Sequence, residues 1–196
     1  MRATDLYRVA GDRVPSVTEI LKLADVYGYV GISGDVLLRA ARRGQEVHGW
    51  TELLDQGAVT ESDEPDPEIQ GYVQAYLRFK REAGLEVIAT EQVVVSEEYR
   101  YAGTLDRIAR LRFLRDPSTP IVLDIKCVAL VQPSTRLQVA GYALAAGEKR
   151  RGSVQLKPDG KYRFAEYRDD DDVRDWLSCV RVAWFKLRHG LGTLED

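Results

Sequence analysis

The apolar positions change period partway along the chain. From Val14 to about Gly84 they recur at helical spacing. Val17, Ile20, Leu21 and Leu23 to Ala24 follow "VPS", with Ser16 or Thr18 as the cap of a helix beginning at about Ser16. "GDVLLRAARRGQEVHGWTELLDQ" predicts a second helix, starting after Asp35 and broken at Gly57; its interior Gly44 costs about 1 kcal/mol relative to alanine, which points to a close backbone approach. The acidic, proline-bearing "TESDEPDP" is a loop into a third helix, "EIQGYVQAYLRFKREA", which closes at Gly84. From Leu85 onward β-branched runs take over. "LEVIATEQVVVS", "RYAGTLDRIARLRF" and "PIVLDIKCV" predict three consecutive strands, the last apolar enough for a buried central position. "PSTRLQVAGYALAA" returns to helix, with Pro133 in the first turn and Gly147 at the end. "RGSVQLKPDGKYRFAEY" reads as a hairpin around "PDG". A terminal helix, "DDVRDWLSCVRVAWFKLRHG", carries acids at its start and bases at its end, as the helix dipole favours.

That order predicts an α/β fold with a mixed central sheet flanked by helices and an N-terminal helical layer. The 196 residues, 44% hydrophobic, suit one domain over 1–196: a helical part over about 14–84, a sheet core over about 85–147, and a hairpin and helix over about 148–190. A net charge of -3 argues against coating nucleic acid by charge alone, without excluding a nucleic-acid enzyme. Basic residues still cluster, in "RR" (42–43), "RFKR" (78–81), "RIARLRFLR" (107–115) and "KRR" (149–151). The only cysteines, Cys127 and Cys179, are too few for a disulfide scaffold or a four-cysteine metal site. With no apolar leader at the N-terminus and no long apolar run, the expectation is a cytoplasmic protein without membrane partners.

Three ionisable residues stand out on the expected strands. Alternation puts Thr104 and Asp106 on one strand face, and Asp124 and Lys126 on one face of the next. An antiparallel pairing would bring the two acids together. A charge in a run as apolar as "IVLDIKCV" is costly unless paired or bound to a cation. Paired carboxylates with a main-chain carbonyl, here that of Ile125, suit Mg²⁺ or Mn²⁺, and a nearby lysine can orient water or offset charge in a phosphodiester transition state. Taken singly, each signal has a plainer reading: "D-x-K" as a salt-bridged strand pair, His48 as an ordinary helix histidine, Glu91 as a solvent-facing strand residue.

Taken in order, "G-T-L-D" (103–106), "D-I-K" (124–126) and "Q-V-A-G-Y" (138–142) resemble the successive motifs of the PD-(D/E)xK nuclease superfamily, in its RecB-type and phage-exonuclease-like branch. "V-P-S-V-T-E-I-L" (14–21) and "R-G-Q-E-V-H" (43–48) resemble its opening segment and its histidine-bearing helix. The resemblance implies a restriction-endonuclease-like core and a Mg²⁺- or Mn²⁺-dependent DNA nuclease, most simply an exonuclease of phage or bacterial recombination and repair. By the same resemblance Asp106, Asp124 and Lys126 are catalytic. His48, Asp106, Asp124 and the Ile125 carbonyl hold the metal, with Glu91 supporting the site or acting as an optional ligand. Gln138, Tyr142, Arg43, Ser16 and Thr18 contact DNA or brace the site. Gly103 would keep the backbone open to a phosphate. DNA is the implied partner, with a single-strand annealing protein or helicase subunit and a homo-oligomer as further candidates. Two other readings stand beside this one: a catalytically idle nuclease-fold module within a larger complex, and a restriction-type endonuclease. Leu105 stands where the family name has proline, and Cys127 where threonine or serine is usual. The cysteines of an iron-sulfur cluster are missing, so none is expected, and no Walker A pattern provides a motor.

Overall fold

The computed structural model describes residues 7–26 and 34–194. The chain opens with a two-stranded antiparallel hairpin, β1 (Arg8–Val9) and β2 (Asp12–Arg13), that the periodicity did not anticipate. Its turn runs through Ala10 and Gly11 at positive φ, 51° and 87°. α1 (Val17–Leu23) follows, buried through Val17, Ile20 and Leu21. Ser16 is its cap: the hydroxyl accepts from the Glu19 amide at 3.1 Å while the Ser16 amide donates to Glu19 Oε2 at 2.7 Å, a reciprocal capping box. Thr18 only touches the Ser16 hydroxyl, at 3.2 Å. The segment 27–33 between α1 and the next helix lies outside the described residues.

α2 (Gly34–Gln56) and α3 (Pro67–Ala83) form the helical layer. The close approach expected at Gly44 is not there; a Cβ at that position would meet nothing within 4 Å. Asp66 caps α3 and Pro67 opens it, while Gly84 ends it in the left-handed conformation, φ 57°. Two long strands, β3 (Leu85–Ser96) and β4 (Tyr101–Leu111), precede the short β5 (Ile121–Lys126). After α4 (Ser134–Ala146) come β6 (Arg150–Leu156), β7 (Tyr162–Tyr167) and α5 (Asp171–Arg188).

The five long strands form one sheet in the order β3-β4-β5-β6-β7, antiparallel except for the β5–β6 pair, which α4 connects in parallel. This is the expected mixed α/β sheet, and both of its faces are covered. On one face Ile121, Leu123 and Ile125 of β5 pack with Val47 of α2 and with Tyr76 and Phe79 of α3. On the other, Val122 and Leu105 pack with Val17 and Ile20 of α1, Ala140 of α4 and Trp176 of α5. Burial on both sides explains why β5 reads as a nearly unbroken apolar run. Among the described residues no helix is long and apolar enough to cross a membrane.

Candidate metal centre and active site

The site lies where β4 and β5 part. Their ladder runs Ala109↔Ile121, Ile108↔Val122, Arg107↔Leu123 and goes no further, so Asp106 stands opposite Asp124 one step beyond the last pair. Past that point the main-chain groups of Ile125 that would face β4 need other partners. Side chains supply them. Asp106 Oδ2 accepts the Ile125 amide at 2.7 Å, and His48 Nε2 donates to the Ile125 carbonyl at 2.9 Å. The carbonyl read from the sequence as a metal ligand is thus engaged by His48. Because a carbonyl only accepts, Nε2 carries the hydrogen and Nδ1 is turned toward acids. It stands 3.3 Å from Asp106 Oδ1 and 3.9 Å from Glu91 Oε1.

His48, Glu91 and Asp106 therefore bring one donor atom each to within 4.8 Å of one another, from α2, β3 and β4. One imidazole nitrogen with carboxylate oxygens fits a hard divalent cation such as Mg²⁺ or Mn²⁺. Glu91 sits at positive φ, 46°, between Thr90↔Arg107 and Gln92↔Leu105 in the ladder. A left-handed glutamate in a strand is strained, by of order 1 kcal/mol, and such strain tends to collect at functional sites.

Asp124 is engaged by Lys126. Its Oδ1 and Oδ2 lie 3.0 and 2.9 Å from Lys126 Nζ, so this pair is indeed salt-bridged, and Asp124 stays outside the three-donor group. Lys126 Nζ also donates to Gln138 Oε1 at 2.9 Å, and Gln138 Nε2 donates to the Tyr142 hydroxyl at 3.4 Å. Gln138 and Tyr142, one turn apart on α4, brace the lysine. Tyr142 also explains Gly103. A Cβ at 103 would come within 2.7 Å of the Tyr142 ring and 3.2 Å of Val17, so the glycine makes room for protein packing and does not hold the backbone open to a phosphate.

The charges are strongly coupled. Burial alone would lower the His48 pKa, but Asp106, with Glu91 and Asp124, raises it to about 10. Burial pushes Asp106 up as well; His48, Lys126 and the Ile125 amide outweigh it and hold this carboxyl below its ordinary range. For Asp124, burial and the nearby Asp106 prevail over Lys126 and His48, and the pKa is raised. Burial also pushes the Cys127 thiol up to about 12, which leaves it inert beside the lysine.

The remaining sequence candidates make other contacts. Arg43 lies over the Tyr72 ring at 5.4 Å, and Ser16 and Thr18 serve the start of α1. Sequence reasoning missed Asp55, Thr51 and Arg107. The Arg107 side chain is 1% exposed and bonds Asp55 Oδ2 at 2.8 Å, although "RIARLRFLR" reads only as a basic cluster. A neighbouring arginine-aspartate pair would be visible in sequence, but these partners are 52 positions apart.

The mixed five-stranded sheet with helices on both faces bears out the α/β fold expected from the sequence. Solved exonuclease structures share it. The alkaline exonuclease LHK-Exo of Laribacter hongkongensis aligns over 88% of this chain and 88% of its own, with a TM-score of 0.50 and 14% identity. The same protein in complex with dAMP aligns over 91% and 89%, with a TM-score of 0.51 at 14% identity. A structure described as a candidate exonuclease, from Eubacterium rectale, aligns over 92% and 83%, with a TM-score of 0.54 and 13% identity. At such identities the likeness establishes the fold. No family model matches the sequence, and no curated protein matches it.

Proposed function

We propose that this chain is a divalent-metal-dependent deoxyribonuclease, an exonuclease acting in DNA recombination or repair. The observation that carries the reading is the convergence of His48, Glu91 and Asp106 within 4.8 Å, next to a lysine held in place by Asp124 and Gln138. The nuclease fold of the chain and the exonuclease descriptions of its structural neighbours support it.

In this reading His48, Glu91 and Asp106 hold Mg²⁺ or Mn²⁺, with Asp124 beside them. The bound ion supplies Lewis-acid polarisation of a phosphoryl oxygen and lowers the pKa of water. The protein's part is placement. Asp124 and Gln138 fix Lys126 Nζ, which hydrogen-bonds the attacking water or the phosphoryl oxygen on which charge builds. The Ile125 hydrogen bonds lock Asp106 and His48 to β5, so the donors and the lysine keep one relative geometry.

End-labelled linear DNA and covalently closed circular DNA, each with Mg²⁺, Mn²⁺ or EDTA, test the proposal. The expected result is release of short products from the linear substrate, dependent on metal, with the circle intact. Cutting of the circle would turn the assignment to an endonuclease, and no cutting of either would defeat it.

A further inference from the structure

Arg107 has no part in the chemistry above, yet its guanidinium is among the most buried charges of the protein. Its fork reaches two residues of the three-donor group, Asp106 and Glu91, and is linked to the third, His48, through Thr51. Nη1 donates to the Asp106 carbonyl at 2.7 Å and lies 3.7 Å from Glu91 Oε1. Nη2 donates to the Thr51 hydroxyl at 3.1 Å, and that hydroxyl donates to the His48 carbonyl at 3.0 Å. Nε is taken by Asp55, whose carboxylate also receives Lys80 Nζ at 2.9 Å and the Tyr76 hydroxyl. One planar group thus links α2, β3 and β4 at the point where their donors converge, and Asp55 anchors it to α3.

We infer that Arg107 is a positioning residue that assembles the divalent-cation site, joining His48, Glu91 and Asp106 through one guanidinium. The inference rests on the reading of those three residues as metal donors. A fixed cation near Glu91 opposes a bound metal, so the charge balance matters. Asp55, fully buried at 2.8 Å and shared with Lys80, offsets part of that charge, and the benefit to the site is geometric. Orientation by such outer partners is typically worth about 10- to 100-fold in metal affinity. The shape of the group matters as much as its sign: the three donors of a lysine radiate from one nitrogen and cannot span Asp55, Asp106 and Thr51, which Arg107 serves from three separate nitrogens.

Arg107→Lys and Thr51→Val separate the possibilities. Thr51→Val leaves the Arg107–Asp55 pair in place and removes only the link to His48. Mn²⁺ is titrated into each metal-free protein by calorimetry, with thermal melting to establish folding. Both variants are expected to bind Mn²⁺ about tenfold or more weakly than wild type, and DNA cleavage by Arg107→Lys is expected to recover partly at saturating Mn²⁺. If Arg107→Lys does not fold, Thr51→Val decides. A folded variant set with wild-type Mn²⁺ affinity would overturn the role of Arg107 while leaving the metal site standing. Failure of wild type itself to bind Mn²⁺ would remove both.

Discussion

The His48 ring spans the gap between β4 and β5, with Nδ1 3.3 Å from Asp106 Oδ1 and Nε2 donating to the Ile125 carbonyl at 2.9 Å. Without metal, the proton on Nδ1 holds Asp106 and Glu91 together. With metal, that position is the one a cation would take.

Metal binding should therefore release a proton. Although burial opposes it, the acids around His48 raise its pKa to about 10, so the ring is cationic near neutral pH. Mn²⁺ must displace that proton, and its affinity should rise roughly tenfold per pH unit between about pH 7 and 9. Calorimetry in two buffers of different ionisation enthalpy should report close to one proton released. Identical enthalpies in both buffers would contradict the placement of Nδ1 in the site.

The metal-free protein should also lose stability in alkali. A folded pKa of about 10 lies above the 6.5 of a free imidazole, so the contribution of His48 is fully present below about pH 6.5 and is lost as pH rises through 10. Urea unfolding in EDTA should show declining stability across that window, and His48→Gln should flatten the decline. A slope unchanged in the variant would assign the effect to other groups.

Lys126→Met should separate chemistry from binding. Its Nζ lies outside the three-donor group and is held by Asp124 and Gln138. Turnover is expected to fall by about 10²- to 10⁴-fold, with Mn²⁺ affinity changed only a few-fold. Equal losses in affinity and turnover would instead make Lys126 a structural counter-ion for Asp124.

Gly103→Ala should act at a distance through Tyr142. The added methyl would stand 2.7 Å from the ring, which is buried and bonded to Gln138. Overpacking of this kind costs about 1–3 kcal/mol, read by urea unfolding, and a shifted ring would disturb the brace on Lys126. Unchanged stability would show that Tyr142 yields easily.

Much of this architecture was legible because periodicity and local signals agreed. The change from helical to strand spacing at Leu85, the caps at Ser16 and Gly84, and the apolar run of β5 all have local causes. The β1–β2 hairpin was not legible, since two-residue strands carry no period. Within the candidate site, "D-I-K" and "G-T-L-D" lie on β5 and β4, the strands that carry Asp124, Lys126 and Asp106. What they could not reveal was the division of labour, with Asp124 turned to Lys126 and Glu91 turned to His48, because that depends on where the β4–β5 ladder ends. Arg107 was hidden for a related reason. Its partner Asp55 lies in another element, and a buried arginine is indistinguishable in sequence from a surface one. The close approach expected at Gly44 from its place inside a helix, and the phosphate access expected at Gly103 from the resemblance, are not supported by the packing.

The central claim is that divalent metal at His48, Glu91 and Asp106 drives DNA hydrolysis. The most direct measurement is cleavage of labelled linear DNA by wild type and Asp106→Asn side by side, with Mn²⁺ and with EDTA. Wild type should cleave with Mn²⁺ alone, and the folded variant should not cleave. Cleavage that persists in EDTA, or that Asp106→Asn leaves intact, would contradict that claim.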